Sequence, residues 1–341
     1  MSEKFKLKYE RMGRFMKIGI LGAGRIAATL AETMNKMPEV ECYGVASRNL
    51  EKAEVFAKDH GFQYAFGSYE DMLADQNVEL IYIATPHSHH YQHIKMCLDA
   101  GKHVLCEKSF TVNERQAAEV FRMAKEKNLL LTEAIWTRYM PSRKIIDDFL
   151  AEKVVGDVKK MTANLNYPLL DKERVVKPEL AGGALLDVGI YPLNFAYMHF
   201  GDAVKEMHSA AQMTDAGVDG ENGMLLLYED GRMAVLNSGI HGKSDSQGVF
   251  YGSKGCMIVE NINNPEAIKI YDTEKNLVRE VKVPEQISGY EYEIIETISC
   301  IKEGKLECPS MPHAETLKMM HVMDELRTSW GMKYPKEIER L

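Results

Sequence analysis

The chain has 341 residues, of which 45% are hydrophobic and 27% charged, which is typical of a globular protein with room for two domains. Its formal net charge of −8 argues against a nucleic-acid partner, because binding a phosphate backbone requires a basic face. No stretch reaches the roughly 18 consecutive apolar residues of a membrane span, so we expect a cytoplasmic protein with no membrane partner.

Residues 1–15 carry charges throughout and lack an apolar core, and Met16 could itself be the start of the protein. We interpret this segment as a disordered or non-native extension without function. The six cysteines are scattered and form no Cys-x-x-Cys pair, which indicates reduced, mostly buried thiols.

The first predicted unit is a strand over Lys17–Leu21, a glycine-rich turn and a helix. Gly22 suits the tight turn, Gly24 lets the backbone approach a pyrophosphate, and the small Ala27 lets helix and strand pack closely. The phosphates would bind at the helix N-terminus, where unpaired N–H groups and the helix dipole favour anions. The turn therefore predicts a dinucleotide site at Gly22, Gly24, Arg25, Ile26 and Ala27.

A second strand, predicted over Glu41–Ala46, ends where a ribose-reading residue is expected. An NAD site usually has Asp or Glu at this point, whereas this chain has Ser47 and Arg48. A guanidinium with a hydroxyl suits the 2′-phosphate of NADP, so we predict NADP, with NAD possible. Alternatively, Arg48 begins a helix and points into solvent.

Strands and helices continue to alternate, which predicts a doubly wound parallel sheet of the Rossmann type. Thr85 and Pro86 end one strand at the edge where such sheets bind ligands. The predicted elements are a helix over Leu50–His60, a strand near Gln63–Ala65, a helix over Tyr69–Ala74, a strand over Leu80–Ala84, a helix over Tyr91–Ala100 and a strand over His103–Cys106.

Four histidines follow Pro86, namely His87, His89, His90 and His93. Pairs at this spacing share one helix face and could bind a metal. No acidic or cysteine ligand accompanies them locally, so we predict no metal and interpret them as polar groups of a loop beside the nicotinamide.

The alternation stops after residues 133–139, and strands dominate from there, which places a domain boundary near Ile135. We predict a dinucleotide domain over 16–135 and a C-terminal α+β domain over 136–341 with a large, mostly antiparallel open sheet. Its predicted strands are Val158–Tyr167, Lys205–Gln212, Gly223–Tyr228, Met233–Gly239, Gln247–Tyr251, Cys256–Glu260 and Ala267–Tyr271. Its predicted helices are Arg143–Ala151, Tyr290–Glu303 and His313–Trp330.

Apolar residues alternate along this predicted meander and suggest an exposed face that pairs subunits. We therefore expect a homodimer or homotetramer formed through Met224, Leu226, Tyr228, Phe250, Met257 and Val259.

The glycine-rich run 182–193 contains Asp187 and Tyr191, which on a helix would project from one face. Together they could form part of a proton-transfer site. Alternatively, Tyr191 is a packed helix residue and Asp187 a charge favoured by the helix dipole.

The run 84–90, followed by 101–108, resembles the motifs of the Gfo/Idh/MocA oxidoreductase family. His90 and Lys108 fall on family positions, whereas His87 replaces the usual Asn and Ser109 the usual Pro. Residues 133–139 and 187–193 look like the branch of dimeric dihydrodiol dehydrogenase and the NADP-dependent D-xylose dehydrogenases, in which Tyr191 occupies the position of the broader family's acid/base His.

This resemblance implies hydride transfer between nicotinamide and a sugar, at an aldose C1 or a ring hydroxyl, or a trans-dihydrodiol. Tyr191 would move the proton, Lys108 would lower the pKa of the Tyr191 phenol, and Asp187 would orient the substrate or Tyr191. Trp136 could equally belong to the interdomain core. The cofactor would also contact Thr85, Pro86, His87, His90, Glu107, Lys108, Trp136 and Arg138.

Two other functions stay open at this point. Some relatives of the family bind dinucleotide without turnover, so the chain could be a dinucleotide-sensing regulator. The same scaffold could also reduce a cyclic imine or a bilin.

Overall fold

The computed structural model describes residues 15–341, so the predicted N-terminal extension lies outside the described residues except for Phe15. Its first layer is a parallel sheet of six strands in the order β3-β2-β1-β4-β5-β6. This order confirms the predicted doubly wound Rossmann sheet, in which ligands bind where the strand order reverses. The strands are β1 (Met16–Leu21), β2 (Val40–Ala46), β3 (Tyr64–Phe66), β4 (Leu80–Ile83), β5 (His103–Glu107) and β6 (Leu131–Ala134).

Five helices connect these strands, and side-chain N-caps begin three of them. Asn49, Ser68 and Asn113 each accept a hydrogen bond from the backbone N–H three residues further on. The helices are α1 (Arg25–Met34), α2 (Leu50–His60), α3 (Tyr69–Ala74), α4 (His87–Asp99) and α5 (Glu114–Lys127). The sequence pattern predicts no element for α5 or β6.

Helix α4 begins four residues earlier than the pattern predicts. Pro86 occupies its N-cap with a φ of −61°, and the helix continues directly from His87. Proline is well tolerated at a helix start, because the N–H it lacks has no partner there. The four histidines therefore lie on the first two turns of a helix and not in a loop.

The second sheet has eight strands in the order β14-β13-β12-β11-β7-β10-β9-β8. It is mostly antiparallel, as predicted, but β7 lies between β10 and β11 and pairs with β10 in parallel. The sheet is thus two antiparallel runs joined on β7 and not one meander. Its strands are β7 (Val158–Asn166), β8 (Val204–Met213), β9 (Asp219–Tyr228), β10 (Met233–Gly239), β11 (Gly248–Gly252), β12 (Gly255–Val259), β13 (Ala267–Tyr271) and β14 (Leu277–Lys282).

Helix α8 (Ile190–Phe200) packs on the second sheet, whereas α9 (Glu291–Lys302) and α10 (His313–Ser329) also contact elements of the first layer. Helix α9 carries Ile294 and Ile298, which join one apolar core with Ile18 and Ile20 of β1. The elements are α6 (Pro141–Ala151), α7 (Glu173–Val176), α8 (Ile190–Phe200), α9 (Glu291–Lys302), α10 (His313–Ser329) and α11 (Lys336–Glu339), with 3₁₀ turns at Trp136–Arg138 and Pro178–Leu180 and a π-helical turn at Leu185–Gly189.

The apolar residues expected to pair subunits face this helical layer. Phe250 packs on Phe195 of α8 with ring centroids 5.4 Å apart. The prediction that these residues form an exposed face is wrong, because all of them are buried: Met224, Leu226, Tyr228, Phe250, Met257 and Val259.

Within residues 15–341, no helix is both long enough and apolar enough to cross a membrane.

Candidate active site

The glycine-rich turn has the geometry that a pyrophosphate site needs. Gly22 has a φ of +102°, and a Cβ there would lie 2.8 Å from the Ala84 carbonyl oxygen, so only glycine fits. Gly24 is the N-cap of α1, and a Cβ on it would meet no atom within 4 Å. Because no side chain caps α1, its first N–H groups, which include those of Arg25, Ile26 and Ala27, can bind phosphate oxygens. These residues fit a dinucleotide.

Arg48 is exposed at the end of β2 and lies within electrostatic range of His89, His93 and Tyr69. It lines a cleft across the point where the sheet order reverses, together with Tyr69, Thr85, Pro86, His89 and His93. Ser47 is buried beside it, and its hydroxyl accepts a hydrogen bond from the Asn49 backbone N–H.

A second, larger cavity opens between the glycine turn and α2. Asn49 and Lys52 line it, and sequence reasoning did not single out either residue. Asn49 caps α2 and Lys52 lies in its first turn, shortly after Ser47 and Arg48. The glycine motif does not include these positions, so it could not indicate them. The other lining residues are Ala23, Glu51, Val55, Phe56, Asp59 and His60.

The α4 histidines are engaged by neighbouring protein groups. His90 is fully buried, with Nδ1 2.9 Å from the Ser109 carbonyl oxygen and Nε2 2.8 Å from that of Thr85. His93 Nδ1 lies 2.9 Å from the Thr85 hydroxyl. Burial lowers the pKa of His87 to about 3 and that of His90 to about 4, although the two carbonyl oxygens at the His90 ring favour its protonated form. Residues 15–341 contain no group of three or more His, Cys, Asp or Glu side chains arranged to hold a metal ion.

Lys108 follows β5 and meets the two residues predicted to share its chemistry. Its Nζ donates to the Asp187 main-chain oxygen at 2.6 Å and lies 3.5 Å from Asp187 Oδ1. The same ammonium is 5.1 Å from the centroid of the Tyr191 ring. The structure thus brings Lys108, Asp187 and Tyr191 together from separate parts of the chain, beyond the carboxyl end of the first sheet.

The turn after Lys108 is held without the family's proline. The Lys108–Ser109 peptide bond is cis. The Ser109 hydroxyl donates to the Leu186 carbonyl oxygen at 2.8 Å, and its own carbonyl oxygen faces His90. Hydrogen bonds to two separate segments therefore fix this turn.

Asp187 lies on the π-helical turn that runs directly into α8, where Tyr191 lies in the first turn. The expected i,i+4 pair is therefore carried by a π turn followed by an α-helix, and such π turns are frequent at functional sites. Although burial opposes ionisation, Lys108 and Arg174 hold the pKa of Asp187 below its ordinary value.

Arg174, on the short helix α7, donates from Nη1 to Asp187 Oδ1. Its side chain is 48% exposed, whereas that of Asp187 is 4% exposed. Sequence reasoning missed this residue. The only available signal was its place just before the glycine-rich run 182–193.

Tyr191 is buried, and burial raises the pKa of its phenol well above the ordinary value. Tyr290, Glu107 and Asp187 raise that pKa further. The pKa of Tyr191 is therefore raised overall, whereas the nearby Lys108 was expected to lower it, because desolvation outweighs the effect of that cation. Tyr191 is a neutral phenol at pH 7 and can donate a proton.

Two further candidate residues lie beside this centre. Glu107 is buried, accepts hydrogen bonds from the Tyr82 hydroxyl and the Lys108 backbone N–H, and has a pKa raised by burial. Trp136 is buried and stacks on Tyr290, with the ring centroids 4.1 Å apart.

Arg138 lies elsewhere. Its Nε donates to Asn194 Oδ1 at 2.6 Å, its Nη2 lies 3.2 Å from Glu315 Oε2, and its side chain is buried. These contacts correct the expectation that Arg138 contacts the cofactor, because its guanidinium is used in packing α8 and α10 together.

A buried polar network supports the segment that carries Asp187 and Tyr191. Asp219 Oδ2 accepts hydrogen bonds from the Leu185 backbone N–H and from Asn222 Nδ2, each at 2.8 Å. The Tyr334 hydroxyl donates to the Gly182 carbonyl oxygen, just before the start of the turn. Asp219 therefore caps the π turn from the second sheet.

Comparison with known proteins places this site in a family. Residues 16–135 match a model described as an oxidoreductase family with an NAD-binding Rossmann fold, and residues 144–258 match the GFO/IDH/MocA C-terminal domain. The chain belongs to the Gfo/Idh/MocA family. It is therefore an NAD(P)-binding oxidoreductase, as the motifs predict.

Relatives extend over nearly the whole Gfo/Idh/MocA chain. It is 33% identical over 327 residues to a trans-1,2-dihydrobenzene-1,2-diol dehydrogenase of Xenopus tropicalis, with 94% of this chain and 99% of that protein covered. The enzyme of the same name from Sus scrofa is 32% identical over 331 residues, with 94% and 99% covered.

Two solved structures share this architecture. A 3-ketoreductase from Actinomadura kijaniata in complex with NADP and TDP-benzene has a TM-score of 0.84 at 25% identity, covering 92% of this chain and 98% of that one. An aldose-aldose oxidoreductase from Caulobacter crescentus complexed with glycerol has a TM-score of 0.83 at 19% identity, covering 93% and 97% of the chains, which shows the fold alone.

Proposed function

We propose that this protein is an NADP-dependent dehydrogenase that transfers a hydride between nicotinamide and a carbon bearing a hydroxyl, in a sugar or a trans-dihydrodiol. One observation carries the proposal: Lys108 lies within 5.1 Å of the Tyr191 ring and donates to Asp187. A cation, a phenol and a carboxylate at the ligand-binding edge of a Rossmann sheet form a proton-transfer site. Residues 16–135 would bind the cofactor and 136–341 the substrate.

The nicotinamide, when bound, supplies or accepts the hydride. The protein's own residues manage the proton. In the reducing direction, the neutral Tyr191 hydroxyl donates its proton to the oxygen of the substrate carbonyl. In the oxidising direction, Tyr191 would first release its own proton to solvent, and the Lys108 ammonium would stabilise the resulting phenolate. The phenolate oxygen then receives the proton of the substrate hydroxyl as the hydride leaves the substrate carbon. Asp187 holds Lys108 in place.

The proposed cofactor contacts follow from the same geometry. The first N–H groups of α1 bind the pyrophosphate, and Arg48 binds the 2′-phosphate that distinguishes NADP from NAD. The structural relative solved with NADP supports this preference. Thr85 and Pro86 line the cleft beside Arg48. The cofactor would also contact His87, His90 and Glu107.

The function is tested by following NADP reduction across a panel of aldoses, inositols and trans-diols. We expect turnover of at least one of these classes and a large loss in Lys108→Met, with cofactor binding retained. Cofactor binding without turnover of any of them would indicate the alternative, a dinucleotide-sensing regulator. Oxidation of NADPH by cyclic imines or bilins, without turnover of the aldoses, inositols and diols, would indicate the other alternative, an imine or bilin reductase.

We further propose that the enzyme acts as a homodimer or homotetramer in the cytoplasm. All six cysteines are free, which fits a reducing compartment. The outer face of the second sheet carries a cross-strand row with four apolar members, which would pair two copies. This row consists of Leu225, Val235, Thr162, Val249 and Ile258.

A further inference from the structure

The ion pair between Arg174 and Asp187 has hydrogen-bonding groups that the protein does not use. Lys108 and Arg174 both bind the same carboxylate oxygen, Oδ1 of Asp187. Among residues 15–341, Asp187 Oδ2 accepts no hydrogen bond, and Nε and Nη2 of Arg174 donate none. An acceptor and several donors therefore lie unused within one ion pair.

The ion pair lies beside the proposed reaction centre. Arg174 interacts electrostatically with Glu107 and Tyr191 as well as with Asp187, and its charge also acts on His87. The side chain of Arg174 is 48% exposed and that of Asp187 4% exposed, so Arg174 lies nearer the solvent and Asp187 deeper, beside Lys108.

A hydroxyl group both donates and accepts a hydrogen bond, so its recognition needs an acceptor and a donor side by side. The free Asp187 oxygen and the free guanidinium N–H groups provide this pair next to the residues that handle the reacting hydroxyl. Tyr191 and Lys108 serve the first hydroxyl, which leaves Arg174 and Asp187 for a neighbouring one.

We propose that the Arg174–Asp187 pair binds the hydroxyl on the carbon adjacent to the reacting carbon, so that the site selects substrates with two vicinal oxygens. This inference rests on the proposed dehydrogenase function and narrows its substrate class. An aldose at C1 and C2 and a trans-dihydrodiol share this unit. A substrate without the second hydroxyl leaves both partners without their ligand.

The experiment compares matched substrates that differ by that hydroxyl: D-glucose with 2-deoxy-D-glucose, and trans-cyclohexane-1,2-diol with cyclohexanol. The native enzyme should prefer the vicinal member by about 10- to 100-fold in kcat/KM, the size expected for hydrogen bonds to a charged group. Arg174→Met should remove the preference, because KM should rise by about that factor more for the vicinal member than for the other member.

Two further variants separate recognition from simple charge balance. Arg174→Lys keeps a positive charge beside Asp187, so a purely electrostatic role predicts a native preference, whereas our proposal predicts its loss. Lys177→Met removes a cation of equal exposure from the same segment, where it pairs with Glu173, and should leave the preference intact.

The outcomes distinguish this inference from the proposed function. Turnover of both members with equal kcat/KM, or a preference that survives in Arg174→Met, overturns the role of Arg174 and leaves the dehydrogenase function standing. If neither pair is turned over, calorimetry on the NADP-loaded protein decides. Tighter, Arg174-dependent binding of the vicinal member supports the inference and contradicts the function, and equal binding or no binding overturns the inference.

Discussion

Tyr191 owes its proposed role to a hydroxyl that burial keeps protonated at neutral pH. Tyr191→Phe removes only that hydroxyl, so we expect turnover to fall by roughly 10²–10⁴-fold, which is typical of lost acid/base catalysis. NADP affinity should stay near native, because the phosphates would bind at α1 and not at this hydroxyl. Steady-state kinetics and a fluorescence titration of bound NADPH measure the two quantities.

Tyr197→Phe is the matched control for this variant. Tyr197 lies on the same helix, but its hydroxyl is near Glu315 and Glu325 of α10 and outside the site. Native turnover in Tyr191→Phe would make Tyr191 a packing residue, and the proton would then have to leave through Lys108 or His90.

Arg48 is the residue on which the cofactor preference depends. Its charge-assisted bonds to a 2′-phosphate should contribute roughly 1.5–3 kcal/mol, or about ten- to a hundredfold tighter binding of NADP than of NAD. Arg48→Ala should remove this difference, and Lys36→Ala, which removes an exposed cation beyond α1, should not. Equal affinity of the native protein for both cofactors would contradict the assignment.

At the scale of elements, the sequence predicts those site residues that belong to a local motif or spacing. The glycine turn, the Lys108 strand end and the Asp187–Tyr191 spacing each predict their own residues. Arg174 and Asp219 act through contacts made in three dimensions, 13 and 34 residues away along the chain. No periodicity or motif encodes such contacts, so the sequence offers no signal for Asp219, and for Arg174 only its place just before the glycine-rich run 182–193.

Because Asp219 caps the π turn and is ionisable, the stability of the folded protein should depend on pH through this residue. Burial raises its pKa to about 7, so the folded protein binds this proton more tightly than the unfolded chain does. The stability that protonated Asp219 contributes is fully present below the unfolded pKa of about 4 and is lost as the pH rises towards 7. The loss is on the order of 1.4 kcal/mol for each pKa unit of difference.

Asp219→Asn keeps an acceptor for the Leu185 N–H but cannot ionise. The free energy of unfolding of this variant, relative to that of the native protein, should therefore increase as the pH rises from 4 to 8. Denaturant melts at several pH values measure this difference. A difference that does not change with pH would show that Asp219 keeps an ordinary pKa. Asp157→Asn, at an exposed carboxylate, provides the control.

At the scale of the whole molecule, the sequence predicts two sheets and their helices but not which face of the second sheet is buried. Strict alternation defines two faces, and only the packing of α8 decides between them. Helix α8 is apolar along its length and takes the face of Phe250 and its neighbours. The order of the strands around β7 could not be predicted from local spacing, because the neighbours of β7 come from distant parts of the sequence.

The outer face is therefore where we expect the subunits to meet. Val235 is 39% exposed, is the second of the five residues in the row and is flanked by Leu225 on β9 and Thr162 on β7. Val235→Glu places a charge within that surface, where desolvation without a partner is costly. Sedimentation velocity should show a native dimer or tetramer and a monomeric variant. Val278→Glu introduces the same charge on the edge strand β14, away from the row, and should leave the assembly native.

A native monomer at micromolar concentration, where an interface of about 1,600 Å² normally holds, would contradict the proposed assembly.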